Sequence, residues 1–283
     1  MPQVPHPIPY QGSKRRLASR ILGYAPHSIA TLIEPFCGSA AVSLAALDSG
    51  RVQSVWLNDS FRPLAQLWRA IAESPAELAE GYRRLWEGQA GDPRGYYDGV
   101  RAAFNQAPEP GQLLFLLTRC VKSAVRFNGR GEFNQSPDNR RLGTRPERMR
   151  RTLLETSTLV RGRFRVTDGD YSKCLQQATS RDLVYLDPPY QGTSTGRDSR
   201  YHQGLDRERL IDDVRRLRSR QIPTLISYDG RLGETSYGPE LPAELGMQRV
   251  EVDVGRSSQA TLNGNTLRSV ESLYLSPELR LSP

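Results

Sequence analysis

Strand signals and helix signals alternate in two separated parts of the chain, and this rhythm constrains the fold more than any other feature of the sequence. Such alternation is typical of a parallel α/β sheet. The last two strands have no helix between them, so we predict that the sheet ends in an antiparallel hairpin. The predicted strands are residues 31–33, 52–57, 164–167, 183–186, 224–227, 248–254 and 269–275, and the helices among them are 14–24, 40–47 and 206–220.

A mainly helical segment separates these two parts. Between residues 61 and 115, apolar residues such as Leu64, Leu67 and Trp68 recur at helical spacing, with proline and glycine breaks near 91–93 and 108–111. A further helix is predicted at 145–159, before the alternation returns. We therefore expect two domains, which are a discontinuous α/β domain of residues 1–60 and 152–283 and an inserted, mainly helical domain of residues 61–151.

The composition indicates a globular protein, with 37% hydrophobic and 25% charged residues. The sequence has no apolar run long enough to span a membrane, and its first ten residues lack the pattern of a signal peptide. We expect a cytoplasmic location and no membrane partner. The 3 cysteines and 3 histidines are scattered, which predicts neither disulfides nor a metal site.

Basic residues are concentrated in one segment, from Arg119 to Arg151, which holds ten lysines and arginines against three acids. An excess confined to one segment indicates a surface that contacts a polyanion such as DNA. A solvated charged face is the alternative.

A small-residue turn follows the first predicted strand. Glu34 ends that strand, and Gly38, Ser39 and Ala40 would let the backbone approach a ligand closely. The Glu34 carboxylate could pair with a cation there. A plain tight turn in any α/β protein has the same pattern, so the turn alone does not decide between these interpretations.

The next strand leads into Asp59. An acid at this place in an α/β sheet can bind the two hydroxyls of a ribose. Alternatively, Asp59 caps the helix that begins near Phe61.

The most informative residues are Asp187, Pro188, Pro189 and Tyr190, which follow the apolar strand at 183–186. Two successive prolines remove two amide donors, so a planar amine could donate to the Asp187 carboxylate and the Pro188 carbonyl while Tyr190 stacks on its ring. Two such acceptors make the exocyclic amine of adenine nucleophilic enough to attack a sulfonium methyl group directly. A structural turn at the end of a strand is the alternative.

With these residues in place, the chain resembles the Dam-type (D12 class, alpha group) family of DNA adenine-N6 methyltransferases. Seven motifs match in family order over nearly the whole chain. They are PYQGSK (9–14), EPFCGSAAV (34–42), LND (57–59), RFNGRGEFN (126–134), GDY (169–171), LVYLDPPYQG (183–192) and TLISYD (224–229).

The resemblance implies a Rossmann-like sheet, an inserted target-recognition domain and the cofactor S-adenosylmethionine. Tyr10 and Lys14 would lie near this cofactor, Phe36 and Gly38 would line its methionine part, and Asp59 would hold its ribose. Asp170 and Tyr171 would contact its adenine, and residues 187–190 would be the catalytic motif. A packing role in the core remains open for Tyr10 and Phe36.

In the family a hairpin, expected here near residues 124–137, enters DNA and reads the sequence. Arg126 and Asn128 carry side chains suited to guanine and adenine edges, although contacts to phosphate alone are the alternative for each residue. The residues expected to bind DNA are Lys122, Arg126, Asn128, Arg130, Asn134, Arg140 and Arg141.

Two departures from the family pattern are visible. Ala40 stands where the cofactor turn often has glycine, and residues 120–125 lack the Tyr-Asn-Gly of GATC-specific members. We therefore expect a target sequence other than GATC.

The sequence as a whole predicts transfer of a methyl group from S-adenosylmethionine to N6 of a flipped adenine in duplex DNA. The enzyme would be a monomer, acting alone or beside a cognate restriction endonuclease. Three alternatives are transfer to cytosine N4, transfer to RNA adenine, and an inactive DNA-binding relative.

Overall fold

The computed structural model of the chain describes residues 4–189, 205–232, 235–237, 239–256 and 268–279. These residues form one eight-stranded mixed sheet with helices on both faces. The strands are β1 (Ile29–Glu34), β2 (Val52–Asp59), β3 (Phe164–Asp168), β4 (Leu183–Leu186), β5 (Thr224–Leu232), β6 (Thr235–Tyr237), β7 (Gln248–Arg256) and β8 (Arg268–Leu275).

The strand order is β3-β2-β1-β4-β5-β8-β7, and β6 pairs with β5 outside this path. The first five strands in this order, from β3 to β5, run parallel to one another, whereas β8 is antiparallel to both β5 and β7. The chain extends from β1 toward one edge and from β4 toward the other, so a topological switch point lies between β1 and β4. The predicted sheet, mostly parallel with a terminal antiparallel hairpin, is confirmed.

The described residues contain nine α-helices. These are α1 (Ala18–Gly23), α2 (Ala41–Asp48), α3 (Arg62–Glu73), α4 (Pro75–Gly88), α5 (Pro93–Gln106), α6 (Pro110–Arg119), α7 (Pro146–Val160), α8 (Ser172–Gln177) and α9 (Arg207–Ser219).

Prolines set the starts of the helices between β2 and β3. Each of α3 to α7 has a proline at its first or second position. Proline is favourable there because its missing N–H has no partner within the first turn of a helix, and its fixed φ suits the helix. The helical segment predicted for residues 61–115 is therefore four helices. Pro75 starts one of them directly after Ser74, a boundary that the apolar periodicity did not reveal.

Side chains on successive strand residues face two different apolar cores. Leu32 of β1 and Leu183 of β4 belong to a first core, which helices α1 to α7 cover. Their neighbours Ile33 and Val184 belong to a second core, which α8 and α9 cover. This separation follows from the two-residue period of a strand. Each strand buried on both faces therefore consists of a continuous apolar run.

The helical segment between β2 and β3 shares the first core with the sheet. Trp68 of α3, Tyr82 of α4 and Phe115 of α6 lie in one continuous cluster with Leu32 and Leu57. Helix α3 packs against β2 and β3, and α7 packs against α2, α3 and α4. Helix α3 thus lies next to the sheet, α6 packs on α3 and α4, and α5 packs on α6.

Two elements were missed in the sequence. Helix α8 has only 6 residues and β6 only 3, which is too short for a periodic pattern. Strand β5 is also longer than the predicted 224–227, because an irregularity between Ser227 and Gly230 shifts its register with β8 and the strand then continues. Asp229 lies in this irregularity with a φ of 53°. A β-bulge of this kind is not visible in an apolar pattern.

The shared core predicts that the sheet and the inserted helices unfold together. Leu117→Ala in α6 removes a fully buried side chain, and we expect it to lower the free energy of unfolding by about 2–5 kcal/mol. Urea denaturation should show one transition, at the same midpoint by tryptophan fluorescence and by far-ultraviolet circular dichroism.

Leu142→Ala is the matched control, since the Leu142 side chain is 48% exposed. It should leave the midpoint nearly unchanged. Two separate transitions, with only one of them moved by Leu117→Ala, would contradict a single core.

Candidate active site

The candidate site lies at the switch point, where the carboxyl ends of neighbouring parallel strands meet. β1 continues into the turn that contains Gly38, β2 ends at Asp59, and β4 is followed directly by Asp187. Crevices of this kind are where open α/β sheets bind ligands. The structure thus gathers the three motifs that the sequence placed far apart.

Strand alternation also assigns the acids to one face. Asp59 is two residues beyond Leu57, Glu34 is two beyond Leu32, and both leucines face the first core. Asp187 is two residues beyond Tyr185 of β4, and Glu271 is two residues before Leu273 of β8, and both of these neighbours belong to the first core. All four carboxylates therefore lie on the face that helices α1 to α7 cover.

The turn after β1 is fixed from both sides at Gly38. The Gly38 N–H donates to Oδ2 of Asp59 at 3.1 Å, and the indole N–H of Trp68 donates to the Gly38 carbonyl at 2.9 Å. Gly38 has a φ of 47°, and a Cβ at this position would lie 3.4 Å from the Tyr10 ring. Glycine therefore meets both a conformational and a spatial requirement there.

Ala40 also has a left-handed backbone, with a φ of 48°. This conformation costs an alanine roughly 1 kcal/mol, whereas glycine adopts it freely. The residue at this departure from the family pattern thus has a backbone conformation that glycine would favour.

Phe61 and not Asp59 is the N-cap of α3, but the Asp59 carboxylate bonds the N–H of Phe61 and also reaches the turn at Gly38. Oδ1 accepts from the Phe61 N–H at 3.0 Å, while Oδ2 accepts from Gly38. Burial raises the pKa of Asp59 to about 6, although both of these bonds act in the opposite direction. Each oxygen keeps further acceptor capacity, so the geometry leaves the ribose role open.

Glu34 is buried, with 3% of its surface exposed. One of its oxygens accepts from the Ser43 N–H, near the start of α2, at 3.0 Å. Burial is the main cause that raises the pKa of Glu34 to about 8, and the nearby Asp187 carboxylate adds to it. Glu34 is thus a mostly neutral group that links β1 to α2, rather than the cation partner considered from the sequence.

Phe36 and Tyr171 lie side by side, with ring centroids 4.9 Å apart. Asp170, the predicted partner of a cofactor adenine, is held by Arg209 of α9 through two contacts of 2.8 Å. Although partial burial opposes it, the bonds from Arg209 and Ser172 lower the pKa of Asp170 to about 2. Asp170 is therefore an ionised acceptor with a fixed direction.

Lys14 contacts Asp187 rather than the turn at Gly38. Its Nζ lies 2.9 Å from Oδ1 of Asp187 and 3.5 Å from Oε2 of Glu271, and it donates to the Gly12 carbonyl at 3.4 Å. Only 5% of the Lys14 side chain is exposed. Burial raises the pKa of Asp187, and Lys14 opposes this rise.

The rest of the predicted catalytic motif is only partly described. Pro188 is buried and Pro189 is half-buried. Tyr190 lies outside the described residues.

The basic segment divides into structural and exposed side chains. Arg119 is 1% exposed and donates to the carbonyls of Asp138 and Arg141, so it supports the fold and not a surface. Arg126 is half-buried. Exposed side chains that were predicted to bind DNA are those of Lys122, Arg130, Asn134, Arg140 and Arg141.

The segment near residues 124–137 contains a tight turn with antiparallel bridges at Phe127–Phe133 and Cys120–Pro137. Asn128 holds this turn, because its Oδ1 accepts from the N–H groups of Arg130 and Glu132 while its Nδ2 donates to the Glu132 carboxylate. The amide of Asn128, expected to face a base, is thus engaged within the turn.

Three residues of the site were missed by the sequence reasoning. Glu271 was detectable in principle, as an acid in step with the inward-facing Leu273 and Leu275 of β8. Nothing in the sequence indicated that Trp68 would bind the turn or that Arg209 would bind Asp170, because these pairs are far apart along the chain.

Among the described residues, no three or more His, Cys, Asp or Glu side chains are grouped so that they could hold a metal ion. Within the same residues, no helix combines the length and apolar character needed to cross a membrane.

Comparisons with known proteins show which family the chain resembles. The family model described as D12 class N6 adenine-specific DNA methyltransferase matches residues 10–255. The type II methyltransferase M1.LlaDCHI of Lactococcus lactis subsp. cremoris is 22% identical over 280 residues, covering 94% of both chains. The DNA adenine methylase of Salmonella typhi is 27% identical over 94% of this chain and 92% of its own. The DNA N-6-adenine-methyltransferase of Escherichia phage P1 is 26% identical over 78% of this chain and 29% of its own.

The raised pKa of Glu34 predicts a pH-dependent loss of stability. The pKa is about 8 in the folded chain against an ordinary 4.5, so the folded state binds more protons and its stability falls as the pH rises between these values. Glu34→Gln removes this dependence while keeping an acceptor for Ser43. When the pH rises from 5 to between 7 and 8, the free energy of unfolding of the variant should increase relative to that of the wild type by on the order of 3 kcal/mol. Urea denaturation at each pH measures this difference.

Glu73→Gln, at an exposed position of α3, is the control and should follow the wild type at every pH. A Glu34→Gln curve that runs parallel to the wild-type curve would show that Glu34 is ionised in the folded chain.

Proposed function

The chain belongs to the D12 class of N6 adenine-specific DNA methyltransferases, and on this premise we propose that it transfers the methyl group of S-adenosylmethionine directly to a flipped adenine in duplex DNA. The single observation that carries this proposal is the Asp187 carboxylate at the carboxyl end of β4, held by Lys14 at 2.9 Å beside the switch point.

The residues around the turn fit a nucleoside cofactor with an amino-acid tail. The Gly38 N–H donates a hydrogen bond to the Asp59 carboxylate, and the turn at Gly38 comes within contact distance of the Tyr10 ring. We assign the ribose to Asp59, the methionine part to the surroundings of Phe36 and Gly38, and the adenine to Asp170 and Tyr171. When bound, S-adenosylmethionine would supply a methyl group on a positively charged sulfur.

Asp187 acts on the acceptor amine. Its carboxylate has one oxygen on Lys14, which leaves the other to accept a hydrogen bond from N6 of adenine. The Pro188 carbonyl is the second acceptor of the proposed pair. Two acceptors draw the N6 lone pair out of conjugation with the ring, so positioning and electrostatics supply most of the rate acceleration.

The reaction forms one nitrogen–carbon bond, breaks one sulfur–carbon bond and releases one proton from N6. The enzyme has to extrude the base before this, since N6 is inaccessible inside the duplex. We place Tyr190 beside the extruded base, as the stacking partner.

The basic segment is the proposed DNA interface. The exposed cations Lys122, Arg130, Arg140 and Arg141 support contacts with phosphates. Arg140 and Arg141 both form ion pairs with Asp138. Hydrogen bonds from the Arg140 N–H and the Arg141 side chain lower the pKa of Asp138 to about 2. Base reading by Asn128 would require its amide to leave Glu132 when DNA binds.

We keep the division into a catalytic domain and a target-recognition domain as a proposal, with one refinement. Helix α3 packs against β2 and β3, and α7 packs against α2 and α3, so the recognition module would be centred on α4 to α6 and the segment that leads to α7. We also propose that the enzyme acts as a monomer in the cytoplasm on a target other than GATC. The named relatives include a type II methyltransferase and DNA adenine methylases, so both a restriction partner and an orphan enzyme fit.

The test is methylation of unmethylated genomic DNA by the purified protein with isotope-labelled S-adenosylmethionine, followed by nucleoside mass spectrometry. We expect the label in N6-methyladenine. Label in N4-methylcytosine, or transfer to RNA but not to duplex DNA, would refute the proposal.

Asp187→Ala should abolish methyl transfer in this assay, with a loss on the order of 10²-fold or more. Cofactor affinity, measured by isothermal titration calorimetry, should change little because Asp187 acts on the amine. Asp48→Ala, at an exposed position that ends α2, is the control. Retained turnover in Asp187→Ala would refute the role of this carboxylate.

A further inference from the structure

Glu271 carries a carboxylate of the candidate site to which the proposed reaction assigns no role. It lies on β8, pairs in register with Gly230 of β5 and Val252 of β7, and has 22% of its side chain exposed. Its Oε2 is 3.5 Å from Nζ of Lys14, the same ammonium that contacts Asp187. One cation is thus divided between two carboxylates.

The arrangement is built by the fold and not by local sequence. Asp187 and Glu271 face the first core because of their positions on β4 and β8, and Lys14 enters from the N-terminal segment that covers this face. The Lys14 ammonium also donates to the Gly12 carbonyl, 3.4 Å away. Contacts with Asp187, Glu271 and Gly12 thus restrict the position of this ammonium within the described part of the chain.

A cation that contacts an acceptor weakens it, because it withdraws negative charge from the oxygens that must bind the substrate amine. If Lys14 paired with Asp187 alone, the pair would be neutral. Burial raises the pKa of Glu271, as it does that of Asp187, and Lys14 opposes both rises. When both acids are ionised, the three groups together carry one net negative charge. The reaction moves one positive charge from sulfur to N6, and a net negative group beside N6 stabilises that transfer.

We propose that Glu271 is a positioning residue for methyl transfer: by sharing the Lys14 ammonium, it keeps the Asp187 carboxylate a strong acceptor, correctly directed toward the adenine amine. This inference rests on the proposed function, in which Asp187 accepts from N6.

The charged groups that face Asp187 among the described residues come from three other elements. They are Lys14 from the N-terminal segment, Glu34 from β1, and Glu271 from β8 across Lys14. Glu34 is mostly neutral below pH 8, because its pKa is raised to about 8. The Cys37 thiol beside Glu34 is neutral as well, since burial raises its pKa. Lys14 and Glu271 are therefore the charges that set the basicity of Asp187.

Glu271→Gln keeps the shape of the side chain and an acceptor for Lys14 but removes the charge. Glu271 then no longer competes with Asp187 for the charge of Lys14, so the pKa of Asp187 falls and its acceptor strength falls with it. We expect kcat to drop about tenfold and the acid limb of the kcat/KM profile to move about 1 pH unit lower. Glu271→Asp, which keeps the charge, should restore much of kcat and shift the limb less.

Affinity for S-adenosylmethionine, measured by calorimetry, should be unchanged in Glu271→Gln, since the assigned cofactor residues lie around Gly38. Glu251→Gln is the matched control. It removes an acid from the neighbouring strand β7, where Glu251 faces Arg249 and is 42% exposed. This control should keep the wild-type pH profile.

A double-mutant cycle tests whether Glu271 acts through Lys14. The loss caused by Glu271→Gln should largely disappear in a Lys14→Gln background, because no cation is left to be shared. Losses that add independently would overturn the inference.

Other outcomes are equally decisive. An active wild type with a Glu271→Gln variant of the same kcat and pH profile would overturn this inference and leave the proposed function intact. A lower kcat without a shift of the acid limb would assign Glu271 a purely structural role and also overturn it. If Glu271→Gln does not fold, Glu271→Met, which also removes the charge, is measured and judged by the same outcomes. A folded wild type that transfers no methyl group to DNA would refute the proposed function itself.

Discussion

The two-residue alternation along the strands is the constraint on which the rest of this structure depends. It divides the apolar residues of β1, β2, β4 and β8 between two cores, and it brings four acids to the same face at the switch point. A shift of one residue in any of these strands would turn its carboxylate toward the opposite core. The packing that stabilises the sheet therefore also fixes the direction of the reactive groups.

Gathering acids in this way is unfavourable, and the surrounding groups offset the cost by different means. Glu34 remains mostly neutral, Asp59 accepts two backbone N–H bonds, and Asp187 and Glu271 share the ammonium of Lys14. The site thus contains carboxyl groups in different protonation states within a small region. Such differences are common where acids have to perform separate tasks.

The sequence predicted the strands of the main sheet well, but it did not predict which side chains of the separate motifs bind one another. The apolar run before Asp187 indicated a buried strand, and that strand has the predicted bounds of Leu183–Leu186. The role expected for Lys14 near the cofactor carried no sign of its pairing with Asp187, because a pairing over such a separation depends on topology. Asn128 shows the same limit: its residue type suits an adenine edge, but the turn around it binds the amide. Of the residues that were missed, only Glu271 was detectable from the sequence pattern, as an acid at an inward-facing strand position.

The bond from the Gln11 N–H to the Ser123 carbonyl, at 3.0 Å, joins the segment that carries Lys14 to the loop that presents Lys122. The same N-terminal segment is joined to the cofactor turn through the Ser13 and Ser39 hydroxyls, 2.7 Å apart. The first of these joints uses only main-chain atoms, which every residue except proline can supply as donor. Substitution of exposed side chains in this loop therefore leaves the main-chain link intact, which would allow the proposed DNA-contacting residues to vary without loosening the segment that carries Lys14.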